Sequence, residues 1–134
     1  MTKLSEIEGI GSAFESKLKI QGITSVENLL ARCATKDGRA DLAESTDISE
    51  KMILKWANRA DLARIKGIGS EYADLLEMSG VDTVPELAQR KAENLFAKMC
   101  EVNETKNLVR RLPKQEQVES WIAQAKTLPR VLEY

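Results

Sequence analysis

The sequence predicts an all-α protein built from two related helical units, and three observations carry that prediction. Ile7-Glu8-Gly9-Ile10-Gly11-Ser12 recurs as Ile65-Lys66-Gly67-Ile68-Gly69-Ser70, 58 residues later. The same offset pairs Phe14 with Tyr72, Leu18 with Leu76, Ile20 with Met78, Gly22 with Gly80, Ile23 with Val81, Val26 with Val84 and Leu29 with Leu87. So many positions in register mark a duplicated fold rather than a chance match of four residues. Apolar residues also recur at helical spacing, and Leu108-Val109 is too short to argue for a strand.

Each element has its own signal. Gly-Ile-Gly followed by Ser reads as a tight turn, with glycine supplying positive φ, and then a helix capped by Ser12 or Ser70. Gly22 ends the first helix, and Thr24-Ser25-Val26-Glu27 offers a capping box for the next, to about Ala34. Thr35-Lys36-Asp37-Gly38 reads as a turn and is followed by a short helix through Ala43. Ser49 caps a helix toward Arg59, on which Met52, Ile53 and Trp56 should face the core. Asp61 is placed to cap the short helix entering the second glycine turn. In the second unit Gly80 stops a helix, and Thr83-Val84-Pro85-Glu86 opens another with proline in its first turn. A helix over about Ala92 to Val102 and a last one between Pro113 and Pro129 complete the reading.

The unit boundaries follow from the repeat: residues 1–61 form the first unit and residues 62–134 the second. Trp56 and Ala60 match Trp121 and Ala125 at an offset of 65, so the second unit carries a seven-residue insertion between Leu87 and Trp121. Units of about 60 residues are marginal alone. The two are therefore expected to pack as one compact helical protein or to share a helix.

Composition bounds the function. The chain has 134 residues, 43% hydrophobic and 31% charged, with 20 Lys plus Arg against 21 Asp plus Glu. Global charge gives no steering toward an anionic partner. No apolar run reaches the ~18 residues of a membrane span and no signal-peptide core opens the chain, which predicts a cytoplasmic protein without membrane contact. Histidine is absent, and the two cysteines, Cys33 and Cys100, occupy unrelated positions of the repeat, so they read as idle thiols. A metal site would be short of ligands and no cofactor is implied. Nor is Gly-Ile-Gly a nucleotide loop, because neither the P-loop spacing nor a preceding strand is present. An enzyme is the least supported class.

The Gly-Ile-Gly turn between helices resembles the helix-hairpin-helix class, and the resemblance implies a turn that meets a nucleic-acid backbone. With a helix ending in Gly22-Ile23-Thr24, a helix like Val26 to Leu30, then Leu42-Ala43 and Ile48-Ser49, the first unit is similar to the N-terminal domain of archaeal and eukaryotic recombinases. It is also similar to the C-terminal domain of the RNA polymerase alpha subunit. Over its whole length the chain resembles the bacterial domain of unknown function 4332 family. The residues that carry this are Asn58-Arg59-Ala60-Asp61-Leu62 leading into the second turn, and Glu101-Val102-Asn103-Glu104 before Leu108-Val109-Arg110-Arg111. That resemblance implies tandem helix-hairpin-helix units and no demonstrated chemistry.

Candidate contacts are then read from charge and turn position. Amides at a helix start seat a phosphate oxygen, which selects Gly9, Gly11 and Ser12 in the first turn and Gly67, Ile68, Gly69 and Ser70 in the second. Lys17 and Lys19 follow the first turn, but Glu8 stands beside Gly9. Arg64 and Lys66 precede the second, which makes it the better phosphate site, although Glu71, Asp74 and Glu77 follow it. Between Thr105 and Gln115 lie Lys106, Arg110, Arg111 and Lys114 and no acid, a local imbalance in a neutral chain. Leu108, Val109 and Leu112 are expected to anchor that stretch. The favoured function is a non-catalytic module binding DNA, or another nucleic acid, through its backbone. The alternative is protein docking or self-association, because the opposite charge orders around the two turns complement each other.

Overall fold

In the computed structural model, which describes residues 2–134, eight α-helices follow a 3₁₀ turn at Leu4–Glu6, and no strand occurs among the described residues. None of these helices is long and apolar enough to cross a membrane. The chain divides into two compact units, Met1–Asp61 with Arg130–Tyr134, and Leu62–Pro129. The last five residues thus associate with the first unit, where Leu132 is buried in the core.

In the first unit the Ile10 amide donates to the Ile7 carbonyl at 3.2 Å, closing a turn in which Gly9 has φ 96°. A side chain there would be strained, so glycine is required by the turn itself. Gly11 is extended and forms the N-cap of α1 (Ser12–Ile20). Ser12 is therefore the first helical residue, not the cap that the sequence suggested. Glycine at the cap has no side chain to offer, and the first-turn amides keep no side-chain capping partner. At the other end the Gly22 amide donates to Lys19 and the Ile23 amide to Leu18, at 2.9 and 3.0 Å. This paired C-terminal closure places Ile23 against Leu18, both buried.

Ser25 accepts from the Asn28 amide at 3.1 Å and opens α2 (Val26–Arg32). Glu27 makes no return bond of a capping box and accepts from Thr2 instead, while Asn28 Oδ1 accepts from the Thr24 hydroxyl at 3.0 Å and the Thr24 amide at 3.4 Å. Thr35 accepts from the Gly38 amide at 3.0 Å, so the stretch read as a turn is the first turn of α3 (Lys36–Thr46). Gly38 belongs in that helix because a Cβ would lie 2.4 Å from the Arg32 carbonyl oxygen. Ser49 caps α4 (Glu50–Leu62) by accepting from Met52 at 3.2 Å. Ile53, Trp56, Ala57 and Ala60 form the buried stripe of α4, and Met52, one position off it, is 38% exposed. Asp61, read as a cap, lies inside a helix instead: with no glycine or proline from Ala57 to Arg64, α4 continues past it to Leu62, and Asp61 is buried there.

The second unit repeats these devices. Ile68 donates to Ile65 at 3.2 Å around Gly67, at φ 102°, and extended Gly69, not Ser70, is the N-cap of α5 (Ser70–Met78). Gly80 donates to Glu77 and Val81 to Leu76, at 3.0 and 2.9 Å. Helices α6 (Val84–Ala88), α7 (Ala92–Lys106) and α8 (Gln115–Thr127) follow, with α8 packed on α6 and α7, and α5 on α7. Helix α7 has 15 residues against 11 in α3, α6 has five against seven in α2, and the connection 107–114 replaces the short link 47–49. The second unit is longer chiefly in α7 and that connection, the stretch that carries its cations.

Candidate nucleic-acid interface

Lys66 occupies the second position of its turn, and its backbone is clasped from α8. The Lys66 amide donates to Gln124 Oε1 at 2.9 Å, and Gln124 Nε2 donates back to the Lys66 carbonyl at 3.1 Å. Nothing in the sequence pattern singled out Gln124, because a glutamine on an exposed helix edge carries no signal of its own. The clasp fixes the turn while the Lys66 side chain remains exposed. Arg64 is half-buried, and its Nη2 donates to the Pro129 carbonyl at 2.7 Å, so part of its hydrogen-bonding capacity serves the fold.

The connection 107–114 is held from two sides. Asn103 on α7 accepts from the Val109 amide at 3.0 Å and donates to the Val109 carbonyl at 3.3 Å. Asn107 adopts the left-handed region at φ 51°, which turns the chain out of the helix. From α5, the Tyr72 hydroxyl donates to the Arg111 carbonyl at 3.2 Å. Tyr72 is the third residue of α5, so this bond brings the basic connection beside the helix start that Gly69 leaves uncapped. Lys106, Arg110, Arg111 and Lys114 are all exposed. Val109 is buried and Leu108 half-buried, as anchors should be. Leu112 is not an anchor, since it is 39% exposed: Val109 and the Tyr72 bond hold the loop without it. Gly67, Ile68, Gly69, Ser70, Lys66, the three cations of the connection and Lys106 just before it thus belong to one unit. An exposed carboxylate, Glu71, sits in the first turn of α5 among them.

The first-unit candidates form a separate set. Glu8 stands where Lys66 does in the other turn, and Gly9, Gly11 and Ser12 are exposed around it. Lys17 and Lys19 are exposed on α1, with Lys19 Nζ 3.4 Å from Glu15 Oε1. No hydroxyl corresponds to that of Tyr72, because its repeat partner is Phe14. The family model for DUF4332, a domain of unknown function, matches residues 8–128. The chain belongs to the DUF4332 family. No curated protein and no solved structure matches it.

Within the DUF4332 chain, three arginines besides Arg64 have structural posts. Arg32 donates to the Gln21 carbonyl at 3.2 Å and Arg90 to the Ser79 carbonyl at 3.3 Å, each charge answering the C-terminal end of α1 or α5. They lie 58 residues apart, so the repeat offset itself could have found them. Arg39 is buried and donates to the Cys33 and Glu133 carbonyls at 2.9 and 2.8 Å, with its guanidinium 5.7 Å from the Tyr134 ring centre. It ties the last residues of the chain to α3, and no sequence signal announces it. Burial pushes the Cys33 thiol up to about 11, against the pull of Arg39 and Arg32, which leaves it unreactive near neutrality. Among the described residues no group of three or more His, Cys, Asp or Glu side chains could hold a metal ion.

Proposed function

We propose that this DUF4332 chain is a non-catalytic module of helix-hairpin-helix type that binds the backbone of DNA without reading its bases, and that the second unit carries the contact. The observation that carries this reading is the Tyr72 bond to Arg111, because it joins two anion-attracting features in one place. One is the α5 start, whose glycine cap leaves amides for an outside acceptor. The other is the connection 107–114 together with Lys106 at the end of α7, four exposed cations and no acid, of which the two arginines present planar forks suited to phosphate. Lys66, pinned by Gln124, adds a fifth charge at the turn. Absence of histidine and an unreactive Cys33 favour binding over catalysis.

Salt dependence tests the reading. Four contacts with duplex DNA, from Lys106, Arg110, Arg111 and Lys114, predict a slope of log K against log salt near −0.9 per contact, or about −3.6. Arg110→Ala/Arg111→Ala should reduce the slope by about 2 and weaken binding to all sequences alike. An unchanged slope would remove the connection from the interface, and a wild-type protein that ignores DNA at low salt would end the proposal.

A further inference from the structure

The two units keep one surface residue apolar and change the charges around it. Ile20, the last residue of α1, is 81% exposed, and its repeat partner Met78, the last residue of α5, is 47% exposed. A single exposed apolar side chain needs no explanation. The same exposed apolar residue at the end of the same helix in both units, beside the same glycine closure, is a feature that the fold does not require. Around Ile20, α1 carries Lys17 and Lys19, with one acid, Glu15. α5 itself carries Glu71, Asp74 and Glu77 and no cation, while Arg90 at the end of α5 is matched by Arg32 at the end of α1 and so cancels in the comparison. At the position of Lys19 the second unit has Glu77, so the sign reverses on an otherwise matched helix.

We infer that the α1 face of one copy docks on the α5 face of a second copy of this chain. Ile20 and Met78 supply the apolar centre, and Lys17 and Lys19 meet the α5 carboxylates at its edge. The contact joins unlike faces, so a copy engaged through α1 retains an α5 face for another copy, and association proceeds to dimers or to longer assemblies. Charge complementarity of this kind sets register and partner choice more than raw affinity. The inference does not rest on the nucleic-acid reading, whose proposed contacts are the second turn and the stretch 106–114; of the docking residues only Glu71, in the first turn of α5, borders them.

Sedimentation across a concentration series, without nucleic acid, tests it. Mass should rise with concentration at about 0.01 M salt and fall toward the monomer at about 1 M, where the Debye length contracts from about 30 Å to about 3 Å. Lys17→Glu/Lys19→Glu alone and Glu71→Lys/Glu77→Lys alone should each be monomeric. An equimolar mixture of the two should associate again, because each then offers the face that the other lacks. Ile20→Ser, a change outside the core, should also weaken assembly while leaving thermal unfolding unchanged, which guards against a misfolded charge variant. A monomer at every concentration in low salt overturns the inference. So does association that persists in both charge variants, or a mixture that fails to associate while both variants melt like the parent. DNA binding that survives in a monomeric Ile20→Ser protein separates this surface from the proposed interface.

Discussion

The Trp121 indole nitrogen lies 2.9 Å from the point where a Cβ on Gly67 would stand. Trp56 stands in the same relation to Gly9 at 3.4 Å. Each tryptophan is buried and packs against the aromatic residue of the helix that leaves the glycine turn, with ring centres 5.2 Å apart for Phe14 and Trp56 and 5.3 Å for Tyr72 and Trp121. The glycine turn therefore rests on the core residue that most strongly organises its unit. Glycine is needed there twice over, for its positive φ and for its missing side chain.

Alanine at the two turns should separate these effects. Positive φ costs an L-residue about 1–2 kcal/mol at either site. At Gly67 the new methyl also collides with Trp121, and such overpacking adds about 1–3 kcal/mol. At Gly9 the contact is near ordinary van der Waals range. Urea unfolding should thus show a larger loss for Gly67→Ala than for Gly9→Ala, and equal losses would mean that Trp121 moves aside freely.

The repeat made much of this legible. A shared offset exposed both glycine turns and both helix ends, because those positions are constrained by backbone conformation and few residues satisfy them. Met52 shows where periodicity fails, since the buried stripe of α4 runs one residue away. The caps differ from the serine rule by one position: serine is the commoner cap, but the extended residue before each helix is Gly11 or Gly69, which leaves Ser12 and Ser70 as first helical residues. The candidate site was legible as charges and not as an assembly. Tyr72 read as an apolar match to Phe14, and only the fold places its hydroxyl on Arg111. Gln124 and Arg39 act on main-chain groups brought together by tertiary packing, which leaves no local trace.

Burial of Cys33 predicts both inertness and a pH effect. In the native protein at neutral pH, alkylation should label Cys100, which is half-buried, well before Cys33. Both should react in denaturant. Because folding raises the Cys33 thiol to about 11, its contribution to stability is complete below the ordinary thiol range of about 8.5 and is lost as pH rises toward 11. Cys33→Ala should flatten that alkaline decline, and an unchanged decline would assign it to other groups.

Glu27 works at the acid end. Its carboxylate accepts from the Thr2 amide at 2.9 and 3.2 Å, and this backbone hydrogen bond holds it below the usual carboxylate range. The stabilisation is present above the unfolded value and is lost as pH falls through the lowered one. Solvent screening at this exposed site limits it to about 0–1 kcal/mol. Glu27→Gln should therefore give a slightly less steep acid decline in a pH series of melting curves; a steeper decline would contradict the assignment.

Tyr72→Phe recreates the residue of the first unit and removes only the bond to the Arg111 carbonyl. The ring keeps its contact with Trp121, so stability should fall by about 0.5–1.5 kcal/mol at most. Nuclear magnetic resonance or hydrogen exchange should show the 107–114 connection loosened while the Asn103 clamp persists. DNA affinity should drop with no change in the salt slope, because the cations remain but are less well placed. A change in slope with an unaltered connection would speak against the positioning role.

The two turns supply the last test through Lys66 and Glu8, which hold the same position with opposite charge. Lys66 sits on a backbone clasped by Gln124, in the unit with the basic connection, so its ammonium is offered from a fixed turn. Lys66→Glu replaces an attraction by a repulsion near the α5 start, worth on the order of 1 kcal/mol or more at surface dielectric, and binding should weaken at least about fivefold. Glu8→Lys acts in the unit without the Arg111 connection and should change affinity much less. Removing the nearby acid with Glu71→Gln should strengthen binding, in the direction opposite to Lys66→Glu. Anisotropy titrations of labelled duplex DNA read all three. If Lys66→Glu leaves affinity untouched while Glu8→Lys raises it strongly, the first turn is the phosphate site and the second serves its own core.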